Sequence, residues 1–281
     1  MPEIDAHCQF RKAEGAASPD SSDPSDPGGT APETPSGDFL PADLPAAVPV
    51  IAIGSAPDTR DTDFLLSLSD PRICGVVGWA DLTARGCVGH LADRAVSPRF
   101  RGVRVMLDAI EDTGWLTAAP APEVLAALIR LNLVMDVQLD LHHLPVLAEF
   151  AQANPDLPIV IDHAARPRLA RGGEDPEWFD AISRLALHGN VHCKLSDLMS
   201  LMTPEQRADP MPLLRPVMGR LLDVFGPARL IWGSGWPSLP LAADYHAWRA
   251  LTGELLAGLA PDEAEAIMGG NAARFYGVAV G

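Results

Sequence analysis

The segment PEVLAALIRLNLVMDVQLDLHHLPVLAEFAQANPDLPIVIDH, residues 122–163, alternates two helical patterns with two short apolar runs. Apolar residues recur at helical spacing over residues 122–131 and 144–153. Each pattern is followed by a run rich in Val, Ile and Leu, at residues 133–139 and 158–163. Strands that are apolar along most of their length are typical of parallel sheets, which helices cover. The segment therefore predicts two consecutive units of an α/β fold.

The same alternation extends over most of the chain. The predicted strands are residues 3–10, 48–53, 73–80, 102–106, 133–139, 158–163, 190–196 and 229–233. Eight strands with helices between them predict an α/β fold of the (β/α)8, or TIM barrel, class. An open doubly wound sheet is the alternative, and the absence of a GxGxxG motif after the first strand disfavours it.

Two segments, one towards each end of the chain, depart from the regular alternation of strands and helices. Residues 14–37, EGAASPDSSDPSDPGGTAPETPSG, contain five prolines and five acidic residues, which predicts a disordered acidic loop rich in Pro and Ser. The following FLPADLPAA, residues 39–47, is too short and too proline-rich for a full first helix. Near the other end, Gly269 and Gly270 are predicted to end a helix that starts at Pro261, with Asn271 capping a last short one. We expect residues 1–281 to form a single domain.

Composition limits the classes of partner. The sequence has 21 Lys plus Arg and 37 Asp plus Glu, so its formal net charge is −16. That charge disfavours nucleic acid and anionic membranes as partners, although a local cation can still bind an anionic small molecule. The sequence has no apolar run of about 18 residues and no secretory signal pattern, and its four cysteines are widely spaced. We therefore expect a cytoplasmic protein with reduced thiols.

Polar residues occur where the predicted strands end, and in a parallel barrel these ends meet at one face. Because side chains alternate along a strand, residues two apart share a face. The candidates are His7 and Gln9, Arg104, Asp136 and Gln138, His163, then His192, Lys194 and Ser196, and finally Trp236. A buried structural ion pair between Asp136 and Lys194 is an alternative explanation for two of them. The cost of burying so many polar groups in apolar strands nevertheless favours a functional site.

Several short motifs connect these residues to a known family. They are IDAH at 4–7, VVGWADLT at 76–83, RGVR at 101–104, Asp162-His163 with Arg166-Pro167, NVHCKLS at 190–196, IWGSGWP at 231–237 and GGNAARFYGV at 269–278. With them, the chain resembles the amidohydrolase-related hydrolases of the sugar-lactonase and 2-pyrone-4,6-dicarboxylate lactonase branch. The resemblance covers nearly all of residues 4–278. It implies a (β/α)8 barrel and hydrolysis of a lactone or a related carboxylated cyclic ester.

The resemblance also implies roles for individual residues. It assigns catalysis to His7, His163 and Lys194, while Arg104 matches the arginine that the family carries on strand 4. From their placement at the strand ends we add substrate-binding roles for Gln9, Arg104, Gln138, Ser196 and Trp236. Two family features are replaced in this chain. The second histidine of the His-x-His motif on strand 1 is Gln9, and the aspartate of GSDWP after strand 8 is Gly235.

These replacements leave an incomplete catalytic set. A catalytic zinc usually needs three protein ligands, so we predict no metal cofactor, with weak binding of a divalent ion such as zinc left open. The family pattern KLSG is KLSD here, which makes Asp197 a candidate substitute base. Two alternatives to a lactonase remain open at this point. One is a metal-free isomerase, dehydratase, decarboxylase or cyclase, and the other is a non-catalytic protein that binds a metabolite or a partner.

Overall fold

The computed structural model describes residues 3–12, 37–169 and 175–279. The predicted acidic loop therefore lies outside the described residues, apart from Gly37. All eight predicted strands are present, each with slightly different bounds. They are β1 Asp5–Cys8, β2 Val50–Ile53, β3 Ile73–Gly78, β4 Phe100–Met106, β5 Val134–Gln138, β6 Ile159–Ile161, β7 Val191–Leu195 and β8 Leu230–Trp232.

The eight strands form one parallel sheet in the order β1 to β8, and every strand pairs with its neighbours in sequence. A parallel bridge between Cys8 and Trp236 joins the two outer strands. The Gly235 amide donates to the His7 carbonyl at 3.1 Å, and the Gln9 amide donates to the Trp236 carbonyl at 2.8 Å. The sheet is thus a nearly closed barrel, which confirms the (β/α)8 prediction.

Helices follow the strands on the outside of the barrel. They are α1 Thr59–Ser67, α2 Cys87–Ala95, α3 Trp115–Ala118, α4 Pro122–Arg130, α5 Leu144–Ala153, α6 Pro176–Leu185, α7 Pro204–Arg207, α8 Met211–Phe225, α9 Tyr245–Leu256, α10 Pro261–Glu265 and α11 Asn271–Tyr276. Among the described residues, the connection from β1 to β2 contains only a 3-10 turn at Pro41–Asp43, as its prolines predict. No helix in the described ranges is long and apolar enough to cross a membrane.

Two apolar layers fix the position of the polar site. The larger layer lies between strands and helices, while a smaller cluster fills the barrel interior. Apolar side chains of the smaller cluster include Ile4, Ile51, Val134, Val160 and Ile231. Most of these stand early in their strands, so this cluster fills the amino-terminal half of the barrel. Polar side chains that point inward can therefore gather only towards the carboxyl ends.

The prediction for the C-terminal helices is wrong. Instead of ending at Gly269 and Gly270, the helix continues through a π-helical turn, Ala266–Gly270, into α11. Asn271 is helical rather than a cap, and its amide donates to the carbonyls of Pro227 and Leu230 at 2.7 and 2.6 Å. These bonds and the burial of the helix against β8 outweigh the weak helix propensity of glycine.

Candidate active site

An ion cluster occupies the centre of the barrel. The Lys194 ammonium lies 2.5 Å from Asp136 Oδ2 and 3.1 Å from Asp162 Oδ1. Arg104 contacts Asp162 Oδ2 through Nε and Nη2, each at 3.0 Å, and donates from Nη1 to the Gly54 carbonyl. All four charged side chains are buried. The buried pair of Asp136 and Lys194, which the sequence left as an alternative, is therefore present.

The charges of this cluster balance. Two cations face two carboxylates, and the Tyr276 hydroxyl donates to Asp136 from 3.0 Å. Burial by itself would raise the pKa of Asp162, but the charges of Lys194 and Arg104 outweigh it and hold that pKa well below its ordinary value. Lys194 is completely buried, so its ammonium is available to the carboxylates and to His7 rather than to solvent.

Two imidazoles lie directly beside the cluster. The rings of His7 and His163 pack edge to face with centroids 4.6 Å apart. His7 Nδ1 lies 3.3 Å from Lys194 Nζ and 3.4 Å from Asp162 Oδ1. His163 Nδ1 is 2.9 Å from Ser196 Oγ. Burial lowers the pKa of His7 to about 4 and that of His163 well below its ordinary value, so both rings are neutral at pH 7.

A left-handed turn places the residues that follow β6. His163, Ala164, Ala165 and Arg166 all have positive φ, between 50° and 57°. Left-handed backbone costs a non-glycine residue roughly 1–2 kcal/mol, and such strain is concentrated at functional sites. The Arg166 amide donates to the His163 carbonyl, and the Trp178 indole donates to the Ala164 carbonyl at 2.8 Å. The turn explains why the adjacent Asp162 and His163 both reach one site.

Two aspartates central to the site were not predicted as functional. Asp162 is the carboxylate that joins Arg104, Lys194 and His7, but strand alternation allows only one of two adjacent residues to point inward. Asp5 accepts hydrogen bonds from the Ser234 amide at 2.8 Å and the Tyr245 hydroxyl at 3.1 Å, which ties β1 to the segment after β8. Asp5 lies in the motif IDAH, and Asp162 lies in the pair Asp162-His163. These motifs were the sequence signal that could have identified the two aspartates as functional.

A second polar cluster surrounds Arg166 beside the first. Arg166 Nη1 lies 2.9 Å from Asp108 Oδ2 and 3.0 Å from Asp140 Oδ1. The Gln138 amide donates to Asp108 from 2.5 Å. The side chains of Arg166 and Asp140 are 20% and 38% exposed, so this cluster meets solvent where the ion cluster does not. Its two carboxylates exceed its single cation, which gives it a net negative charge.

The loops after β7 and β8 touch each other. Asp197 has φ 55° and Gly235 has φ 77°. A Cβ built on Gly235 would lie 2.7 Å from Asp197 Cβ, closer than real Cβ atoms approach. Burial raises the pKa of the Asp197 carboxyl to about 7. A titratable carboxyl thus lies against the glycine that follows β8, one residue away from the serine that contacts His163.

The structure brings together most of the predicted site residues but not all of them. Those that gather around the imidazoles are His7, Arg104, Asp136, His163, Lys194 and Ser196. Gln9 is half-buried just past β1, and Gln138 belongs to the Arg166 cluster. The Trp236 ring is 3% exposed and packs between Phe10 and Phe39. His192 was grouped with Lys194, but it contacts Phe275 near the opposite end of the barrel because it stands early in β7.

Three residues of the site carry donor atoms close enough together to be compared with a metal centre. Donor atoms of His7, Asp162 and His163 lie within 4.8 Å of one another. However, Lys194 Nζ lies 3.3 Å from His7 Nδ1 and 3.1 Å from Asp162 Oδ1, so the ammonium takes the place of a cation bridging them. Arg104 holds the other oxygen of Asp162. A divalent ion would add two charges to a cluster that is already neutral, and these residues therefore do not fit a tightly held metal.

The barrel and the polar site at the carboxyl ends of its strands define an enzyme of the (β/α)8 class, with its reactive groups in the usual place. Comparisons with known proteins narrow this class. The model of the amidohydrolase family matches residues 4–278. This chain belongs to the amidohydrolase family and is a hydrolase of that family.

Individual relatives support the assignment. An L-fucono-1,5-lactonase of Burkholderia ambifaria is 38% identical over 254 residues, which are 85% of this chain and 85% of that protein. An L-fucono-1,5-lactonase of Burkholderia multivorans is 33% identical over 239 residues, covering 80% and 79%. Crystal structures of a Burkholderia multivorans amidohydrolase, one with bound HEPES and one with bound zinc, match with a TM-score of 0.86 at 29% identity. They cover 99% of this chain and all of that one.

Proposed function

We propose that this protein hydrolyses the ring ester of a sugar lactone. The observation that carries the proposal is a pair of neutral imidazoles held in fixed positions beside a charge-balanced ion cluster, in a chain similar to two lactonases over most of its length. Neutral imidazoles can donate or accept a proton at neutral pH, and ester hydrolysis needs both operations.

His163 is the imidazole placed for contact with substrate. It is 6% exposed, whereas His7 and Lys194 are almost completely buried. Ser196 Oγ holds Nδ1, and Nε2 has no hydrogen-bond partner among the described residues. With the serine hydroxyl donating to Nδ1, the Nε2 proton is free to donate to the carbonyl oxygen of the lactone as negative charge develops there. His7 and Lys194 lie deeper in the barrel than His163, and they hold Asp162 and the pair of imidazole rings in position.

The Arg166 cluster favours a neutral, hydroxylated substrate over a dicarboxylate. Asp108 and Asp140 outnumber the one guanidinium, and Arg166 already donates to both of them. Carboxylate oxygens accept hydrogen bonds from sugar hydroxyls. A substrate carboxylate within several ångströms of them would instead meet a repulsion on the order of 1 kcal/mol. The sequence alone allows an anionic small molecule as the partner, and the charge of this cluster favours an uncharged sugar lactone instead.

The proposal extends to the cofactor and to the location of the protein in the cell. Because the donor set does not fit a tightly held metal, hydrolysis is expected to proceed on protein side chains alone, even though a related structure carries zinc. A cytoplasmic location and the absence of nucleic-acid or membrane partners stay predictions from the sequence.

The test measures hydrolysis of a panel of lactones by detecting the protons that ring opening releases. The panel contains L-fucono-1,5-lactone, other sugar lactones and 2-pyrone-4,6-dicarboxylate. We expect turnover of at least one sugar lactone, with kcat/KM about tenfold or more above that for the dicarboxylate. The His163→Ala variant serves as the control for spontaneous ring opening. Equal rates for the wild type and this variant across the panel would contradict the proposal. Ligand binding by calorimetry without turnover would then favour a non-catalytic protein.

A further inference from the structure

Asp197 occupies a backbone conformation that few residues other than glycine, asparagine and aspartate adopt. It lies two residues after the end of β7 and has φ 55° and ψ 18°, in the left-handed region that glycine adopts most readily. It stands before the 3-10 turn Leu198–Leu201, but its side chain makes no capping hydrogen bond. The Ser200 amide and hydroxyl donate to the main-chain carbonyl of Asp197, which any residue would offer. These main-chain bonds do not require a carboxylate here, and the only local contact of the carboxyl itself is with the Ser200 hydroxyl.

Tertiary structure gives the carboxylate room but no cation to pair with, and the Ser200 hydroxyl is its one hydrogen-bonding neighbour among the groups that shift its pKa. Gly235 leaves open the space beside Asp197 Cβ that any side chain at position 235 would fill. The residue is 7% exposed, and the Oδ1 atom of its carboxyl is buried without a hydrogen bond. No Lys or Arg nitrogen among the described residues lies within 4.0 Å of it, although four carboxylates elsewhere in the barrel mouth have such partners. A buried acid with no cation beside it is costly, and that cost favours a functional role.

The surroundings keep this acid near neutrality. Burial raises its pKa to about 7, and the Ser200 hydroxyl and the charges of Arg166, Arg104 and Arg207 only partly oppose that rise. These groups belong to the turn after Asp197, the turn after β6, strand β4 and helix α7. The loop after β8, which is also in contact, presents Gly235 and adds no charge. A base that must take a proton at neutral pH works best with a pKa close to 7.

We propose that Asp197 is the general base that activates water in this enzyme, a step that rests on the proposed lactone hydrolysis. The carboxylate takes one proton from water while the water oxygen forms a bond to the lactone carbonyl carbon. Collapse of the tetrahedral intermediate breaks the bond from that carbon to the ring oxygen, and the ring oxygen receives the proton from Asp197. One water is consumed, the product is the open hydroxy acid, and nothing is oxidised or reduced.

The experiment compares Asp197→Asn and Asp197→Gly with the wild type on the lactone that the panel identifies. Asn keeps the shape and tolerates the left-handed backbone, so it removes only the base. We expect kcat to fall about 10²- to 10⁴-fold in both variants. The wild-type kcat/KM should rise with pH through about 7 as the carboxyl ionises, and the residual activity of Asp197→Asn should lack that rise. Added formate should restore activity to Asp197→Gly. Asp180→Asn, on the exposed face of α6, is the matched control.

The possible failures are distinguishable. Wild-type protein that opens no lactone would refute the proposed function itself. Wild-type turnover together with an Asp197→Asn variant that keeps kcat within threefold and retains the rise near pH 7 would refute the base assignment alone. Denaturant unfolding of each variant separates loss of activity from loss of folded protein. An Asp197→Gly variant that circular dichroism shows to be folded, and that has lost activity, supports the assignment.

Discussion

Replacing Asp197 should make the protein more stable, and the gain should depend on pH. The carboxyl titrates at about 7 in the folded protein, against an ordinary value of 3.8. Between pH 5 and 7 the folded state therefore holds a proton that the unfolded chain has already released. A group whose pKa is raised on folding in this way loses stability as the pH rises, at about 1.4 kcal/mol per pH unit.

The size of this pH effect follows from the interval between the two pKa values. Relative to Asp197→Asn, the wild type should lose about 3 kcal/mol of unfolding free energy between pH 5 and pH 8. Asp197→Gly should gain a further amount of roughly 1 kcal/mol at any pH, because glycine adopts φ 55° without strain. The small void left by the missing carboxymethyl group opposes this gain.

Guanidinium unfolding monitored by circular dichroism at pH 5 and pH 8 measures both effects. The expected result is an unfolding free energy for Asp197→Asn that exceeds the wild-type value far more at pH 8 than at pH 5. Equal differences at the two pH values would show that Asp197 is not a buried acid with a raised pKa. A less stable Asp197→Asn at pH 8 would show that the carboxylate has a stabilising partner after all.

Three further predictions concern its surroundings. Lys194→Met removes the only cation paired with the buried Asp136 and one of the two that face Asp162, and it should cost about 3–5 kcal/mol in denaturant unfolding. The exposed Lys12→Met should leave stability within about 0.5 kcal/mol. Gly235→Ala should destabilise the folded protein by about 1–3 kcal/mol, since φ is 77° and the new Cβ would meet Asp197. This loss should be smaller in an Asp197→Gly background, and strictly additive effects of the two changes would contradict the contact. Ser196→Ala frees the imidazole it holds and should lower kcat about tenfold with little change in KM; an unchanged kcat would show that this hydrogen bond does not orient the ring.

The fold could be predicted because its signal is local. The alternation of apolar runs with helical patterns, as in residues 122–163, depends only on spacing along the chain, and every predicted strand is present. The failure at Gly269 and Gly270 has the opposite cause. Their propensity predicts a helix end, but burial against β8 and the bonds of the Asn271 amide keep the chain helical.

The site could be predicted in membership but not in its arrangement. His7, Arg104 and Lys194 point inward because they lie on strands, where alternation is reliable. Asp162 was missed because a left-handed turn, which no sequence periodicity predicts, brings both it and His163 into the same space.

The amino-acid sequence by itself determined the barrel, the end of it that carries polar groups, and the kinship visible in its motifs, because each of these depends on residue type and spacing. Only the tertiary structure decided how charge is distributed there. It paired Lys194 with two carboxylates and left the Asp197 carboxyl without a cation and with a buried Oδ1 atom that has no hydrogen bond, since pairing depends on which loops meet across the mouth of the barrel. Distances between residues remote in sequence set the energies of buried charges, and those energies separate a structural ion pair from a reactive acid.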